Sequence, residues 1–463
     1  MDLKLENIVL IVATLTSFFT VFLSSAVMVA VPSIALEFGM SNIVQNWVTM
    51  LLFLVVAIFT IPAGQLSGKF GLKKSMVLGS ALFIISSIVA IFSISSEMFL
   101  ICRVFQGIGV AFLNVASMAM VVSAFSPQKR GQAIGINVTG VYLATSTSPV
   151  IGGFLNFQFG WRSIFWVTVP FLILILGLLI TQIDKEWITM ADVDLDWKGS
   201  IIYSIGILLF IFGFTTLDSF SGILLTVLGI IIIAIFVLVE LRQKYPVFDV
   251  KFFKNPKFSS ANFAALCAYL ATFAVTTIVN YHLQYIRGFN SQTAGMILLV
   301  APLMQVIMAP ISGRLSDRIN PQKLAAVGMF FGAISLAMLA MLNKSTPLEF
   351  LILAMFCHGL GFGIFSSPNT NVIMSSVPPK DTSVASASVA TMRTIGQTMS
   401  MGMLTLVFAF IMGNVPIIPE YYHLLTSSCQ ITCLICMVLC AVSVLASLVG
   451  IRSKISDGEM VKR

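Results

Sequence analysis

The feature that most constrains this chain is a series of about fourteen apolar runs, each of about 17 residues or more. A run of that length is enough for an α-helix to cross the hydrocarbon core of a bilayer. Because backbone polar groups find no water in lipid, such runs must form helices, and the sequence predicts an all-α membrane protein. The runs are 8–31, 44–61, 76–92, 99–122, 133–154, 164–180, 200–217, 222–239, 262–283, 294–311, 324–342, 350–368, 385–412 and 429–449.

Composition agrees with this interpretation and excludes a soluble globular protein. Of the 463 residues, 58% are hydrophobic and only 10% are charged, whereas about a quarter of the residues of a soluble domain are charged. A net charge of +8 would suggest a nucleic-acid partner in a soluble protein. Here we expect no nucleic acid, since basic residues gather on the cytoplasmic side of membrane proteins.

The distribution of these basic residues predicts the topology. With a cytoplasmic N-terminus, 21 of the 26 Lys and Arg residues fall in cytoplasmic segments. Only Arg162, Arg287 and Lys344 fall on the opposite side, and Arg103 and Arg393 lie inside runs. A bias of this size predicts a multi-pass protein of the cell membrane with both termini in the cytoplasm.

The chain also repeats itself. GQLSGKFGLKK at residues 64–74 follows the second run, and GRLSDRINPQK at residues 313–323 follows the tenth. Two copies of one loop predict two homologous six-helix bundles with two extra helices between them. The expected boundaries are 1–183 for the first bundle, 184–258 for linkers and extra helices, 259–452 for the second bundle and 453–463 for a cytoplasmic tail.

These loops resemble the signature of the major facilitator superfamily. LICRVFQGIGVAF in the fourth run is similar to its second motif, and GQAIGINVTGVYLATSTSPVIGGFL in the fifth is similar to its antiporter motif. GWRSIFWVTVPF and VASASVATMRTIG resemble segments of the fourteen-span drug:proton antiporter branch. The chain departs from the pattern at Gly68, where the loop signature has Asp, and at Leu23 and Met28, where the branch carries Asp and Asn.

The resemblance implies a set of residues that support conformational change. They belong to the two loops, the fourth run and the fifth run: Gly64, Lys69, Gly71, Lys73, Arg103, Gln106, Gly107, Pro149, Gly152, Gly153, Gly313, Asp317 and Arg318. Arg103 is near the outer third of its run, so it could snorkel to the surface. The resemblance implies instead a role in proton transfer or in bracing the bundle.

Ionisable groups inside the predicted spans are few. None of the 18 acidic residues lies in the middle of a run, which leaves Arg103, Arg393 and His358. Arg393 should face water, backbone carbonyls or an anionic group rather than lipid. His358 is either a satisfied core residue or a proton-exchanging group, because an unperturbed imidazole has a pKa of about 6.5.

Uncharged polar side chains supply candidates for a cavity. Asn137, Tyr142, Tyr281, Gln284 and Gln305 lie within or just beyond the spans and should face the protein interior. Hydrogen bonds that hold the bundles together are the competing explanation. Cys429, Cys433, Cys436 and Cys440 share one helix face, but their apolar setting favours buried side chains over a metal site.

The sequence therefore predicts a secondary active transporter that exports small lipophilic or amphipathic compounds by alternating access, coupled to protons. The alternative is a carrier of the same fold for neutral or anionic metabolites or lipids, uncoupled or coupled without an intramembrane carboxylate. No nucleotide domain or catalytic grouping is evident, so we expect no enzyme, cofactor or metal. We expect a monomer whose partners are the lipid bilayer, a small-molecule substrate and protons.

Overall fold

The computed structural model describes residues 3–188, 195–243, 250–316, 318–378 and 382–452. Within these ranges the chain forms helices and no strand. Fourteen long helices are present in this part of the chain. They are α1 (Leu3–Phe38), α2 (Asn42–Phe70), α3 (Leu72–Ile91), α4 (Ser96–Ala124), α5 (Pro127–Phe159), α6 (Arg162–Gln182), α7 (Trp197–Thr215), α8 (Phe220–Glu240), α9 (Pro256–Ile286), α10 (Ser291–Ser316), α11 (Pro321–Leu339), α12 (Leu348–Ser375), α13 (Thr382–Ile411) and α14 (Tyr422–Arg452).

Thirteen of these helices are long and apolar enough to cross a membrane over the residues described. The remaining one, α5, carries the polar run Thr145–Ser148, whose first three hydroxyls bond back to the helix carbonyls of Tyr142 and Leu143. Such back-bonding lets Ser and Thr sit inside a membrane helix. The predicted all-α membrane protein of about fourteen spans is confirmed.

Short connections keep consecutive helices antiparallel. Gly39 adopts a φ of +61° at the end of α1. Because glycine has no Cβ, this conformation costs it little free energy. Ser41 then caps α2 by accepting a hydrogen bond from the Val44 N–H at 3.4 Å. The chain thus reverses direction within three residues.

The packing order of the first six helices is repeated by the last six. In the first bundle α1 contacts α4, α5 and α6, α4 contacts α2 and α3, and α3 contacts α6. In the second bundle α9 contacts α12, α13 and α14, α12 contacts α10 and α11, and α11 contacts α14. The two bundles therefore have one architecture, as the loop repeat predicted. The residue boundaries at 183 and 258 stay a prediction, and the tail at 453–463 lies outside the described residues.

Glycines at matching places hold each bundle together. A Cβ on Gly109 would lie 2.8 Å from the Gly79 carbonyl of α3. Its counterpart Gly361 would meet the Gly328 carbonyl at 2.7 Å and the Gly332 nitrogen at 2.6 Å on α11. Because membrane helices associate through close backbone approach, these glycines fix the crossing of α4 with α3 and of α12 with α11.

The two bundles meet along two seams, one formed by α2 and α13 and the other by α5 and α10. The α7–α8 hairpin lies against the first seam, where α7 contacts both α2 and α13. Tyr203 donates to the Ala57 carbonyl at 3.1 Å, and Ser200 donates to Gln65 at 3.1 Å. The outer surface of α8 consists of exposed apolar side chains, as expected of a helix that faces lipid.

Two basic residues that depart from the charge bias have structural partners. Arg162 pairs with Glu37 at 2.7 Å and donates to the Ile91 and Ser93 carbonyls. Arg287 donates to the Thr346 carbonyl. Their position at the end away from the termini is therefore explained by local bonding.

Replacing Gly361 with Ala should destabilise the second bundle, because the added methyl group would press on the backbone of α11. Overpacking of this kind costs roughly 1–3 kcal/mol. We expect a melting temperature several degrees lower for the purified protein in detergent, measured by intrinsic fluorescence. Gly177→Ala in α6 is the matched control, since a Cβ at Gly177 would have no packing neighbour within 4 Å. Equal melting temperatures for the two variants would contradict the prediction.

Candidate functional site

A group of hydrogen bonds joins the bundles at the end of the molecule away from the termini. Pro32 of α1 has no N–H and therefore frees the carbonyl of Met28, four residues earlier. The Asn280 amide of α9 donates to this carbonyl at 3.0 Å. Gln284, one turn further along α9, donates to the neighbouring Val29 carbonyl at 2.8 Å. A freed carbonyl of one bundle thus finds its donor in the other, and we call this pair of contacts the latch.

Two tyrosines of α9 extend the same contact to α2. The Tyr281 hydroxyl donates to Asn46 Oδ1 at 2.9 Å, and the Tyr285 hydroxyl donates to Gln45 Oε1 at 3.0 Å. Asn42 at the start of α2 donates through its side chain to the Gly413 carbonyl beyond α13. Tyr281 and Gln284, predicted as cavity candidates, therefore lie at the contact between the bundles.

The glycines of the antiporter-like segment face opposite directions. A Cβ on Gly152 would lie 2.7 Å from the Cβ of Ala26 on α1, inside its own bundle. Gly153 lies against the backbone of Ser291 on α10, in the other bundle. Its carbonyl accepts a hydrogen bond from the Ser291 hydroxyl at 3.0 Å. The carbonyl of Pro149 also faces α10. One glycine thus packs the bundle, and the next packs the seam between bundles.

Arg103 braces the first bundle. Its Nε donates to the Val48 carbonyl of α2 and its Nη1 to Gln106, both at 2.9 Å, while Gln106 donates to Ser87 of α3 at 3.3 Å. Gly107 allows this approach, because a Cβ there would meet α2 at 2.7 Å. Arg103 is only 1% exposed, so it does not snorkel to the membrane surface. Its Nη2 has no hydrogen-bond partner among the described residues.

The first loop copy is completed by a residue that the sequence analysis missed. Glu186, in the linker after α6, accepts from the backbone N–H groups of Lys73 at 2.8 Å and Lys74 at 3.2 Å. It lies directly over Gly71, whose φ is +114°. A carboxylate at a helix N-terminus is favourable, so Glu186 provides a negative charge near a loop in which Gly68 replaces the usual Asp. In the sequence it is one of five acidic residues in the polar stretch 184–199 between spans, and nothing there distinguishes it from the other four.

The second loop copy is only partly described. A Cβ on Gly313 would lie 3.6 Å from Ser367, much as a Cβ on Gly64 would lie 3.8 Å from Val115. Asn320 caps α11 by accepting from the Gln322 N–H at 2.9 Å. Asp317 lies outside the described residues. Lys69 is half-buried and Arg318 is exposed.

At mid-height in the first bundle, Asn137 is part of a polar cluster. It exchanges hydrogen bonds with Ser17 of α1 at 3.3–3.4 Å, and Ser17 lies 3.3 Å from the Ser117 hydroxyl of α4. All three side chains are buried. Asn137 therefore connects helices of one bundle, in line with the competing explanation for such residues.

Polar and aromatic side chains from both bundles converge at the same height between the bundles. Tyr269 of α9 is within electrostatic range of Arg393 on α13 and of Tyr142 on α5, and Ser366 of α12 is a neighbour of its hydroxyl. Arg393 is exposed although it lies deep within its helix. Tyr269 was not singled out by the sequence, because a tyrosine inside an apolar run gives no distinctive signal.

Three further polar residues occupy nearby helices. Gln305 of α10 is half-buried beside Gly363 of α12. Asn114 of α4, a residue the sequence analysis missed, is exposed. His358 is 5% exposed, and its Nδ1 has no hydrogen-bond partner in the part of the chain that the structure describes. It directly precedes Gly359, as Gln106 directly precedes Gly107.

Comparison with known proteins agrees with this architecture. The family model described as Major Facilitator Superfamily matches residues 13–401. The chain belongs to this superfamily. It is therefore a multi-pass membrane transporter, as the sequence motifs predicted.

Several characterised transporters of this superfamily are similar to the chain. The riboflavin transporter RibZ of Clostridioides difficile is 30% identical over 396 residues, which cover 85% of this chain and 86% of RibZ. The multidrug resistance protein Stp of Mycobacterium tuberculosis is 28% identical over 86% of this chain and 75% of Stp. The methyl viologen resistance protein SmvA of Salmonella typhimurium is 27% identical over 78% of this chain and 74% of SmvA.

Solved structures share the fold. A bacterial homologue of the human lysosomal transporter Spinster superposes with a TM-score of 0.73 over 97% of this chain and 98% of that chain, at 16% identity. The peptide transporter POT in complex with alafosfalin gives a TM-score of 0.70 over 95% of each chain, also at 16% identity. These likenesses cover nearly the whole chain and concern the fold alone.

Removing the latch should open the end of the transporter away from the termini. In an Asn280→Leu, Gln284→Leu variant the freed Met28 carbonyl of α1 loses its donor, and a buried polar group left unsatisfied costs roughly 1–3 kcal/mol. We expect spin labels at Ile94 and Lys344, both at this end, to show a larger share of long distances in double electron–electron resonance measurements. An unchanged distance distribution would contradict the latch.

Gln430→Leu is the matched control for this experiment. Gln430 also donates an amide hydrogen bond to a backbone carbonyl, that of Leu342 at 2.8 Å, but both residues belong to the second bundle. Its loss should lower stability without changing the separation of the bundles.

Proposed function

We propose that this major facilitator transporter exports small lipophilic or amphipathic compounds by alternating access, driven by the proton gradient. The observation that carries the proposal is the position of the latch. The inter-bundle hydrogen bonds described above all lie toward the end away from the termini, and the charged, exposed Arg393 lies between the bundles further in. Two matched bundles closed at one end of a polar interior are arranged to rock about that interior.

The orientation follows from the charge bias. With both termini in the cytoplasm of a cell-membrane protein, the latch closes the outward end, and the interior containing Arg393 opens to the cytoplasm. An exporter takes up its substrate in this state. The division into bundles at 1–183 and 259–452, with the extra helices at 184–258, fits a monomeric transporter that needs no partner chain.

Relatives support export of drug-like compounds, since Stp and SmvA are named for multidrug and methyl viologen resistance. The alternative is a carrier for neutral or anionic metabolites or lipids, which RibZ, named for riboflavin, supports. One feature of this chain favours the alternative substrate range. The acidic residues of the described ranges lie at helix ends or in connections, so no carboxylate there offers a mid-membrane partner to a cationic drug.

Proton coupling is assigned to His358. Its ring is buried beside the glycines that pack α12 against α10 and α11, and an imidazole exposed to water changes charge near neutrality. Gain or loss of a proton there would change the packing of the second bundle at its centre. The exposed His423 lies in the first turn of α14 and has no such position.

Transport in proteoliposomes tests the function and the coupling separately. We expect riboflavin, a neutral aromatic probe, to accumulate in an acidic lumen and to leak out when a protonophore collapses the gradient. His358→Gln should keep riboflavin exchange at equal pH but lose gradient-driven accumulation, whereas the matched control His423→Gln should keep both.

Two results would contradict the proposal. Absence of exchange in the wild type, with riboflavin and with methyl viologen as the cationic comparator, would reject a transporter of such compounds. Undiminished accumulation in His358→Gln would remove His358 as the coupling group.

A further inference from the structure

We propose that Arg393 binds an acidic group of the substrate, and that the preferred substrates are small aromatic compounds with one negative charge. The inference rests on the proposed function, because it places the ligand in the interior between the bundles. It selects one chemical class from the neutral, anionic and cationic compounds that such carriers transport.

The direction of the Arg393 side chain follows from its helix neighbours. Gly402 of α13 faces α7, because a Cβ at this glycine would lie 3.0 Å from Thr215. Arg393 lies nine residues earlier, which is two and a half turns at about 3.6 residues per turn, and so projects from the opposite side of α13. Because the α7–α8 hairpin covers α13 from the lipid side, the opposite side faces the space between the bundles.

The neighbours of Tyr269 lead to the same position. Gly396 of α13 packs against α9, where a Cβ on this glycine would lie 2.7 Å from the Cβ of Tyr269. Arg393 is one turn away from Gly396, and Tyr269 is within electrostatic range of both Arg393 and Tyr142. Tyr269 therefore lies near both Arg393 of the second bundle and Tyr142 of the first.

The charge of Arg393 has no partner within the described residues. It makes no hydrogen bond or ion pair with any of them, and it is 11 residues from the start of α13, or ~16 Å along the helix axis. A cation at membrane depth costs about 2.5–3.5 kcal/mol on insertion scales and is rarely kept without a use. Arg103, the other intramembrane arginine, is instead buried, and its Nε and Nη1 donate to groups inside its own bundle.

The guanidinium chemistry selects an anion. Arginine presents a planar set of five N–H donors that matches the two oxygens of a carboxylate, and it remains charged at every physiological pH. Since Arg393 is exposed, these donors are available to a ligand. A lipophilic cation at the same place would be repelled.

Aromatic rings around this charge select the rest of the ligand. Tyr269 and Phe362 pack edge to face with centroids 5.3 Å apart. One turn further toward the latch, Phe53 of α2 and Phe273 of α9 meet across the bundles at 4.8 Å. Aromatic rings favour stacked or edge-to-face partners, so a flat aromatic body fits beside a charge bound by Arg393.

Binding of three ligands with one aromatic scaffold tests the inference in full-length protein in detergent. They are 1-naphthaleneacetate, its neutral amide 1-naphthaleneacetamide and the cation (1-naphthylmethyl)trimethylammonium. We expect the wild type to bind the acetate at least about tenfold more tightly than the amide, since a hydrogen bond to a charged group is worth that factor. The cation should bind most weakly.

The variants separate charge from structure. Arg393→Gln should bind the acetate and the amide equally while keeping the wild-type affinity for the amide, which also shows that the protein is folded. Arg393→Lys should recover part of the preference, because lysine supplies the charge without the planar donors. Lys344→Gln, which removes an exposed charge from a loop, should bind as the wild type does.

Equal affinities of the wild type for the acetate and the amide would overturn the inference even if no variant were stable. The same holds if Arg393→Gln keeps the preference for the acetate. Riboflavin exchange by the wild type and by Arg393→Gln, measured in parallel, reports on the proposed function independently: exchange without anion preference rejects only the role of Arg393.

Discussion

Inside a membrane, every backbone carbonyl that a helix leaves free must find a donor in the protein, and this requirement ties the two halves of the molecule together. Pro32 frees a carbonyl in α1, and its donor, Asn280, comes from the other bundle. Separation of the bundles at this end therefore exposes a polar group of the backbone as well as apolar surface. This hydrogen bond stabilises the closed arrangement, and an open arrangement would need water or another donor in its place.

The second constraint is the duplication of the chain. Gly140 packs on Thr14 of α1, and Gly396 packs on Tyr269 of α9. Three residues before each glycine stand Asn137 and Arg393, at equivalent places in the two bundles. One is buried in a polar cluster and the other is exposed. The same duplication places Gln106 in α4 and His358 in α12 directly before matching glycines, so one repeated frame carries different side chains in its two halves.

The fold could be predicted from the sequence because the features that determine it are repeated and local. Run lengths, the loop copies and the charge bias each predicted spans or bundles, and the architecture and family are confirmed. The candidate site could be predicted less well from the sequence. Tyr281 and Gln284 were recognised as interior residues, but their partners on α1 and α2 lie more than 230 positions away, and no spacing rule connects them. Glu186 and Tyr269 act through contacts that exist only once the helices are packed.

The α7–α8 hairpin makes the two flanks of the transporter unequal. It covers the seam between α2 and α13, whereas the described helices place no comparable hairpin over the seam between α5 and α10. A compound dissolved in the bilayer thus meets a double wall on one flank and a single wall on the other. Any sideways route from the lipid into the interior is therefore shorter on the α5–α10 flank. The added helices make the two flanks of the protein different, whereas duplication alone would have made them alike.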